Sequence, residues 1–350
     1  MKNNNTLPSQ VKVRDSNMEL LRIVAMLLVM VVHANFRALP VPGMAWLHAH
    51  PSSGFLMFMT EGFSIVAVDL FVLLSGWYGI KPRLNRFAEL VFQVLFFGLV
   101  AIAGCAIFVP ADLHPTSSVF SRLFLLGDFD YWFVKAYIAM YLFAPALNTF
   151  VEHTTRRQFA TVLLSFLAFQ CIYGWLWEGT KWFVAGYSAI SFMWLYLLAR
   201  YVRLHPVKWL WQRSKWFDLA VYLGCVAFFT IAMFAIKWQG GRGGFLYFYN
   251  CPIVIVSALH LLLFFSKISL RSRLINWVAV SAFAIYLTHS SSFIGKYYDV
   301  YLLQWFNQCS RADFIGRAVL LIVGVFIASI LLDKLRLLLW RPLNNLLFKR

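Results

Sequence analysis

Residues 18–36 read MELLRIVAMLLVMVVHANF. Past Glu19 and Arg22 the stretch is apolar as far as His33, lacks the two-residue alternation of a barrel strand, and matches the roughly 20 residues that a helix needs to cross a bilayer. Similar runs, bounded by charges or by Pro, Gly and Asn, recur along the chain at 55–79, 87–109, 130–150, 157–177, 183–203, 216–236, 246–266, 276–295 and 315–338. The expected fold is an all-α integral membrane protein of about ten transmembrane helices in one bundle. Composition agrees: of 350 residues, 61% are hydrophobic and only 13% charged, which excludes a soluble globular enzyme.

An even number of spans puts both termini on one side, and the basic residues say which. With the N-terminus in the cytoplasm, 22 of the 31 Lys and Arg fall in inner segments and eight in outer ones, with Lys135 inside a span. That bias orients both termini to the cytoplasm, and the net charge of +17 then faces anionic headgroups rather than nucleic acid. The expected division is a cytoplasmic N-terminal segment at 1–17, a membrane domain at 18–338 and a basic cytoplasmic tail at 339–350. The polar start, MKNNNTLPSQVKVRDSNMELLR, does not read as a cleaved signal peptide. Five cysteines scattered singly suggest neither a disulfide framework nor a metal site.

Ionisable groups inside spans cost roughly 2.5–3.5 kcal/mol each on insertion scales, so each is a site candidate. His33, Glu61, Lys135 and His289 fall in one layer of the outer half of the bilayer, the two histidines roughly 20 Å from the inner end, with Asp69 deeper toward the cytoplasm. Taken singly, His289 or Glu61 serves helix packing as readily as chemistry, and Glu61 with Lys135 would also make a structural ion pair. His260 and Glu89, near inner helix ends, read as structural.

Arg22 and His33 are eleven residues apart, three helical turns plus about 20°, so they project from nearly one face. A guanidinium at the inner surface and an imidazole deep in the membrane suit a substrate with an anionic head and a long thin reactive tail, the shape of a coenzyme A thioester. After the second span, DLFVLLSGWYGIKPRLNRF (residues 69–87) places Ser75-Gly76 near the helix end and supplies Lys81, Arg83 and Arg86. Such a cluster is commonly a headgroup anchor; opposite Arg22 it becomes a candidate phosphate site.

The Arg22/His33 pair, DLFVLLSG at 69–76 and Arg83-Leu-Asn-Arg86 resemble the motifs of the membrane acyltransferase-3 family, as do YWFVKAYIAMYLFAPAL at 131–147 and SAFAIYLTH at 281–289. The resemblance runs in order over nearly the whole chain. It implies a ten-helix core in a bacterial cytoplasmic (inner) membrane and an acyl donor, usually acetyl-CoA, taken from the cytoplasm. Transfer would be to a hydroxyl of a carbohydrate or glycolipid of the cell envelope, with His33 catalytic and Arg22, Arg83 and Arg86 on the CoA phosphates. Two features depart from the family: Leu73-Leu74 and Trp77-Tyr78 flank the Ser-Gly pair where Phe is frequent, and the chain ends at Arg350 without the soluble hydrolase-like domain of some members.

In that reading His33 is the general base on the acceptor hydroxyl, Glu61 or Asp69 orients or charge-balances it, and Lys135 stabilises the developing oxyanion; Lys135, His289 and Ser75 form a second polar shell. A covalent acyl-histidine is the alternative to direct transfer. Trp46, His48, His50, Trp175, Trp177, Trp238 and Tyr247 in outer loops would stack on sugar rings, although Trp and Tyr also mark membrane interfaces. The rival reading is a transporter or flippase moving an envelope precursor along His33, Glu61, Asp69 and His289. It leaves the clustered inner arginines unexplained.

Overall fold

The computed structural model describes residues 15–108, 131–177, 184–291 and 295–348. Most of the expected N-terminal segment 1–17 and the outer connection 110–129 lie outside the described residues. Four helices begin at a Ser or Thr cap. Ser188, Ser214 and Ser272 each accept from the backbone N–H three residues on, and Thr155 with Gln158 forms a reciprocal capping box.

The first helix, α1 (Ser16–Val32), ends in a π-helical turn, His33–Arg37. A short α2 (Met44–Ala49) leads into α3 (Pro51–Ser64) and α4 (Ala67–Tyr78), which are one interrupted span, and then α5 (Leu84–Phe108). There follow α6 (Trp132–His153), α7 (Arg156–Gln170), α8 (Ala189–Leu204), a turn of helix α9 (Lys208–Trp211), α10 (Lys215–Trp238) and α11 (Pro252–Ser266). The chain closes with α12 (Arg273–Ala279), α13 (Ala282–His289), α14 (Gly295–Gln308) and α15 (Arg311–Phe348).

The described residues contain no strand, and eight of the helical segments are long and apolar enough to cross a membrane. The protein is an all-α membrane protein. Two expected spans have a different form. The run at 183–203 becomes α8, whose 16 residues fall short of a full crossing, and the run at 276–295 is divided where Ser281 turns its N–H back to the Val278 carbonyl. The last helix is longer than expected: its 38 residues, on the order of 57 Å, carry it through the segment set aside as a tail.

Burial decides which elements form the centre. About 72% of the apolar window of α3–α4 and 67% of that of residues 244–266 are buried, against 17% for α15. The remaining apolar faces are turned to lipid. The central helix α4 packs against α8, α1 and α11, while α10 packs on α11 and α3. Gly76 permits the α4–α8 contact, because a Cβ there would lie 2.3 Å from the Tyr196 carbonyl oxygen. Three residues on, Gly79 ends α4 with φ of 73°, a left-handed conformation that favours glycine. The glycines of SGWYG are thus a close approach and a helix stop. The main buried apolar cluster runs from Met18 to Ile330 through one bundle.

Candidate functional site

The π-helical turn that ends α1 shapes the site. Asn35 departs from helical geometry (φ −100°, ψ −105°), and the extra residue in the turn sends neighbouring side chains to opposite sides. His33, Phe36 and Arg37 line a cavity of about 620 Å³ together with Glu61 of α3, while Asn35 faces away from it. Phe71 and Phe133 stand among the lining groups, with Trp132, Tyr187, Tyr247 and Tyr286, so the cavity is aromatic with a few polar groups, as small-molecule sites usually are.

His33 meets His289, the last residue of α13: Nδ1 of His33 lies 2.9 Å from Nε2 of His289. The partners dictate the tautomers. His289 Nδ1 is 2.6 Å from the Ile285 carbonyl, so it carries the proton and donates, which leaves Nε2 as an acceptor. His33 then donates from Nδ1 to His289 and holds its own Nε2 unprotonated, the form a general base requires. Arg37 competes for the same nitrogen, with Nη1 2.7 Å from His33 Nδ1. A guanidinium only donates, so it can satisfy Nδ1 only in the opposite tautomer. Asp299 of α14 holds the other edge of Arg37, accepting from Nε and Nη2 at 3.2 and 2.8 Å.

The carboxylates proposed to assist His33 are placed differently. Glu61 is buried, and its Oε2 accepts from Asn35 Nδ2 at 2.9 Å; the same amide donates to the Met57 carbonyl, and the Phe36 backbone N–H also serves the Glu61 carboxylate. Glu61 therefore braces the π-helical turn and faces the cavity without a hydrogen bond to His33. Asp69 is fully buried in the first turn of α4, and neither of its oxygens has a hydrogen-bond partner among the described residues. His289, rather than Glu61 or Asp69, stands against Nδ1 of His33. Lys135 lies off the lining of the cavity, two residues beyond Phe133 on α6.

Toward the other end of the bundle, a line of groups leads back to Arg22. Phe71 meets Phe133 edge-on, Phe133 stacks on Tyr137, and the Tyr137 hydroxyl lies 3.3 Å from Ser75 Oγ, whose own proton goes to the Phe71 carbonyl. Arg22 is near enough to act on Tyr137 electrostatically, and it pairs with Glu19. Beside this line, Tyr141 both accepts from the Arg83 N–H at 3.0 Å and donates to the Arg83 carbonyl at 3.1 Å. That pins the loop backbone, and no carboxylate pairs with the Arg83 guanidinium among the described residues. Arg86 belongs to a chain of charges that spacing could not reveal: Glu89 bridges it to the buried Arg336, which also pairs with Asp333, itself bonded to Gln93.

The family model for an acyltransferase domain, acyltransferase-3, matches residues 15–334, nearly the whole chain. The chain belongs to this family. No curated protein and no solved structure matches it. Membership makes the protein a membrane acyltransferase, and the matched region takes in every residue of the site described above except Arg336.

Three contributors were not singled out from the sequence: Asn35, Arg37 and Asp299. Arg37 does carry a sequence signal, since it stands four residues after His33 and helical spacing brings such positions together. Asp299 is on α14, a segment without a membrane-like run. His260 and Glu89 sit in buried ionic clusters, His260 against Asp218, which Lys267 also grips at 2.6 Å. Among the described residues no group of His, Cys, Asp or Glu is arranged to hold a metal ion.

Proposed function

We propose that this membrane acyltransferase transfers an acyl group, acetyl in the first instance, from cytoplasmic acyl-CoA to a hydroxyl of a cell-envelope carbohydrate or glycolipid. In this reading the bundle has ten membrane-crossing units, with α8 and the α12–α13 pair as the two shorter ones and both termini cytoplasmic, as the distribution of Lys and Arg favours. The observation that carries the proposal is the line from Arg22 through Ser75–Tyr137 and Phe71–Phe133 to His33. It has the polarity of acyl-CoA: cations for the phosphates at one end, small and aromatic groups along the arm, a base at the thioester.

In the transfer step the acceptor O–H gives its proton to His33 Nε2 while its oxygen attacks the thioester carbonyl. Collapse of the adduct breaks the C–S bond, and the imidazolium returns the proton to the thiolate, leaving free CoA and the ester. His289 keeps the proton on Nδ1 of His33 throughout and so keeps Nε2 available. A positioned base of this kind contributes typically 10²–10⁴-fold. The aromatic cavity would receive the sugar, since flat rings stack on sugar faces while Glu61 offers an acceptor for hydroxyl groups. Arg22, Arg83 and Arg86 would bind the CoA phosphates, Arg83 being the one least committed within the protein.

A cysteine in the proposed donor lane tests this. In a variant with Ser75→Cys and the native cysteines replaced, acetyl-CoA should slow maleimide labelling of residue 75 in a saturable manner, and acetate should not. Labelling unaffected by saturating acyl-CoA would remove the donor from this path.

A further inference from the structure

Beyond the wall made by Asn35 and Glu61 lies a second hollow, of about 710 Å³, which opens between α1, α3 and α15. Its floor is mainly hydrocarbon, with Val31 of α1, Leu56 of α3, and Ala318 and Ile322 of α15, and Thr60 of α3 among them. Its rim, at the His33 end of the bundle, is polar and carries Arg311 with Ser53 and Asn307.

Arg311 is an unusual cation to leave there. It donates to the hydroxyl oxygens of Ser52 and Ser53 at 3.0 and 2.6 Å, which sets it over the first turn of α3. That helix end has no side-chain cap, and its partial positive charge repels a guanidinium. No carboxylate offsets the two: Asp313 is taken by Arg317 at 3.1 Å, and no acidic group pairs with Arg311 among the described residues. An anion at the rim would satisfy both the guanidinium and the open helix end. A soluble anion does not explain the apolar floor beneath it, which runs along three membrane-spanning helices.

We propose that this groove binds one membrane lipid with a phosphate-bearing head, its phosphate on Arg311 and one acyl chain laid between α1 and α15. The site is distinct from the acyl-transfer cavity: Asn35 lines this groove, while Glu61, which accepts from its amide, lines the other. It needs no assumption about donor or acceptor.

The full-length protein in phosphatidylcholine nanodiscs would be exposed to phosphatidylglycerol carrying a photoactivatable group in its chain, beside a phosphatidylcholine probe with the same chain. The phosphatidylglycerol probe should mark peptides covering 306–322 and 31–60 and be displaced by unlabelled phosphatidylglycerol but not by added phosphatidylcholine. Arg311→Ala should reduce that labelling about fivefold, and Arg311→Lys should restore part of it. Ala318→Trp, which fills the groove and leaves the cation in place, should abolish it. Equal labelling by the two probes in the wild-type protein would overturn the proposal without any variant, as would displacement by inorganic phosphate alone, which would mark a soluble-anion site. These outcomes leave the acyl-transfer reading untouched.

Discussion

His33 and His289 lie 256 positions apart in the chain and meet at 2.9 Å, nitrogen to nitrogen, with the second ring fixed by the Ile285 carbonyl. This contact joins the end of α1 to the end of α13 and selects the tautomer in which His33 can act as a base. His289→Ala should lower kcat by about 10–100-fold, part of the range a positioned general base supplies, with the KM for acyl-CoA little changed. His289→Gln, whose amide oxygen can accept from His33 Nδ1, should recover part of the rate. Equal loss in both variants with a raised KM for acyl-CoA would make His289 a packing residue.

Arg37 competes with His289 for Nδ1 of His33, and Asp299 holds the other edge of its guanidinium. Asp299→Asn removes the charge that draws the guanidinium toward α14, so Arg37 should compete more strongly for His33 Nδ1. The expected result is a several-fold lower kcat. Thermal stability should change little, because a half-exposed ion pair contributes about 0–1 kcal/mol. Arg37→Ala together with Asp299→Asn should be more active than Asp299→Asn alone; steady-state rates of the two variants at matched expression check this.

Gly76 is the point where α4 rests on α8. Gly76→Ala places a Cβ 2.3 Å from the Tyr196 carbonyl oxygen and 2.9 Å from the Ala199 Cβ. Backbone cannot yield as a flexible side chain can, so the cost should reach or exceed the upper part of the ~1–3 kcal/mol usual for overpacking. A thermal melt in detergent should show a lower midpoint; an unchanged midpoint would mean that α4 and α8 separate at no cost.

The buried Arg336–Asp333 pair gives a sharper stability test, since Arg336 is 2% exposed. Arg336→Met alone leaves Asp333 buried with one ion-pair partner removed, which costs about 3–5 kcal/mol in comparable cases. The double variant Asp333→Leu/Arg336→Met should recover most of that loss. It should still raise the KM for acyl-CoA modestly, because Glu89 would then be free to bind Arg86 more tightly. Thermal midpoints and donor KM values measured on the same preparations separate the two effects.

Much of the architecture was legible because lipid is an undemanding solvent to read: a run of about 20 apolar residues has few alternatives to a membrane helix. What escaped were the interruptions. The break between α3 and α4, the division of the ninth run at Ser281 and the π-helical turn at 33–37 arise from packing between helices far apart in sequence, which hydropathy does not record. The same division holds for the site. Arg22, His33, Ser75 and His289 could be picked out because polar groups in spans are costly and helical spacing assigns faces. The partners of those groups depend on which helices adjoin, so His289 displaced Glu61 and Asp69 beside His33, and Arg37 and Asp299 were passed over.

Loss of the His33 imidazole is the most direct probe of the proposed acyl transfer from CoA to a glycan hydroxyl. Membranes carrying the protein would be incubated with acetyl-labelled CoA and an envelope glycan fraction, with wild type and His33→Ala at matched expression. Wild type should place label in base-labile ester on the glycan, and His33→Ala should reduce it at least about 10²-fold. Equal transfer by the two proteins would contradict the proposed role of His33.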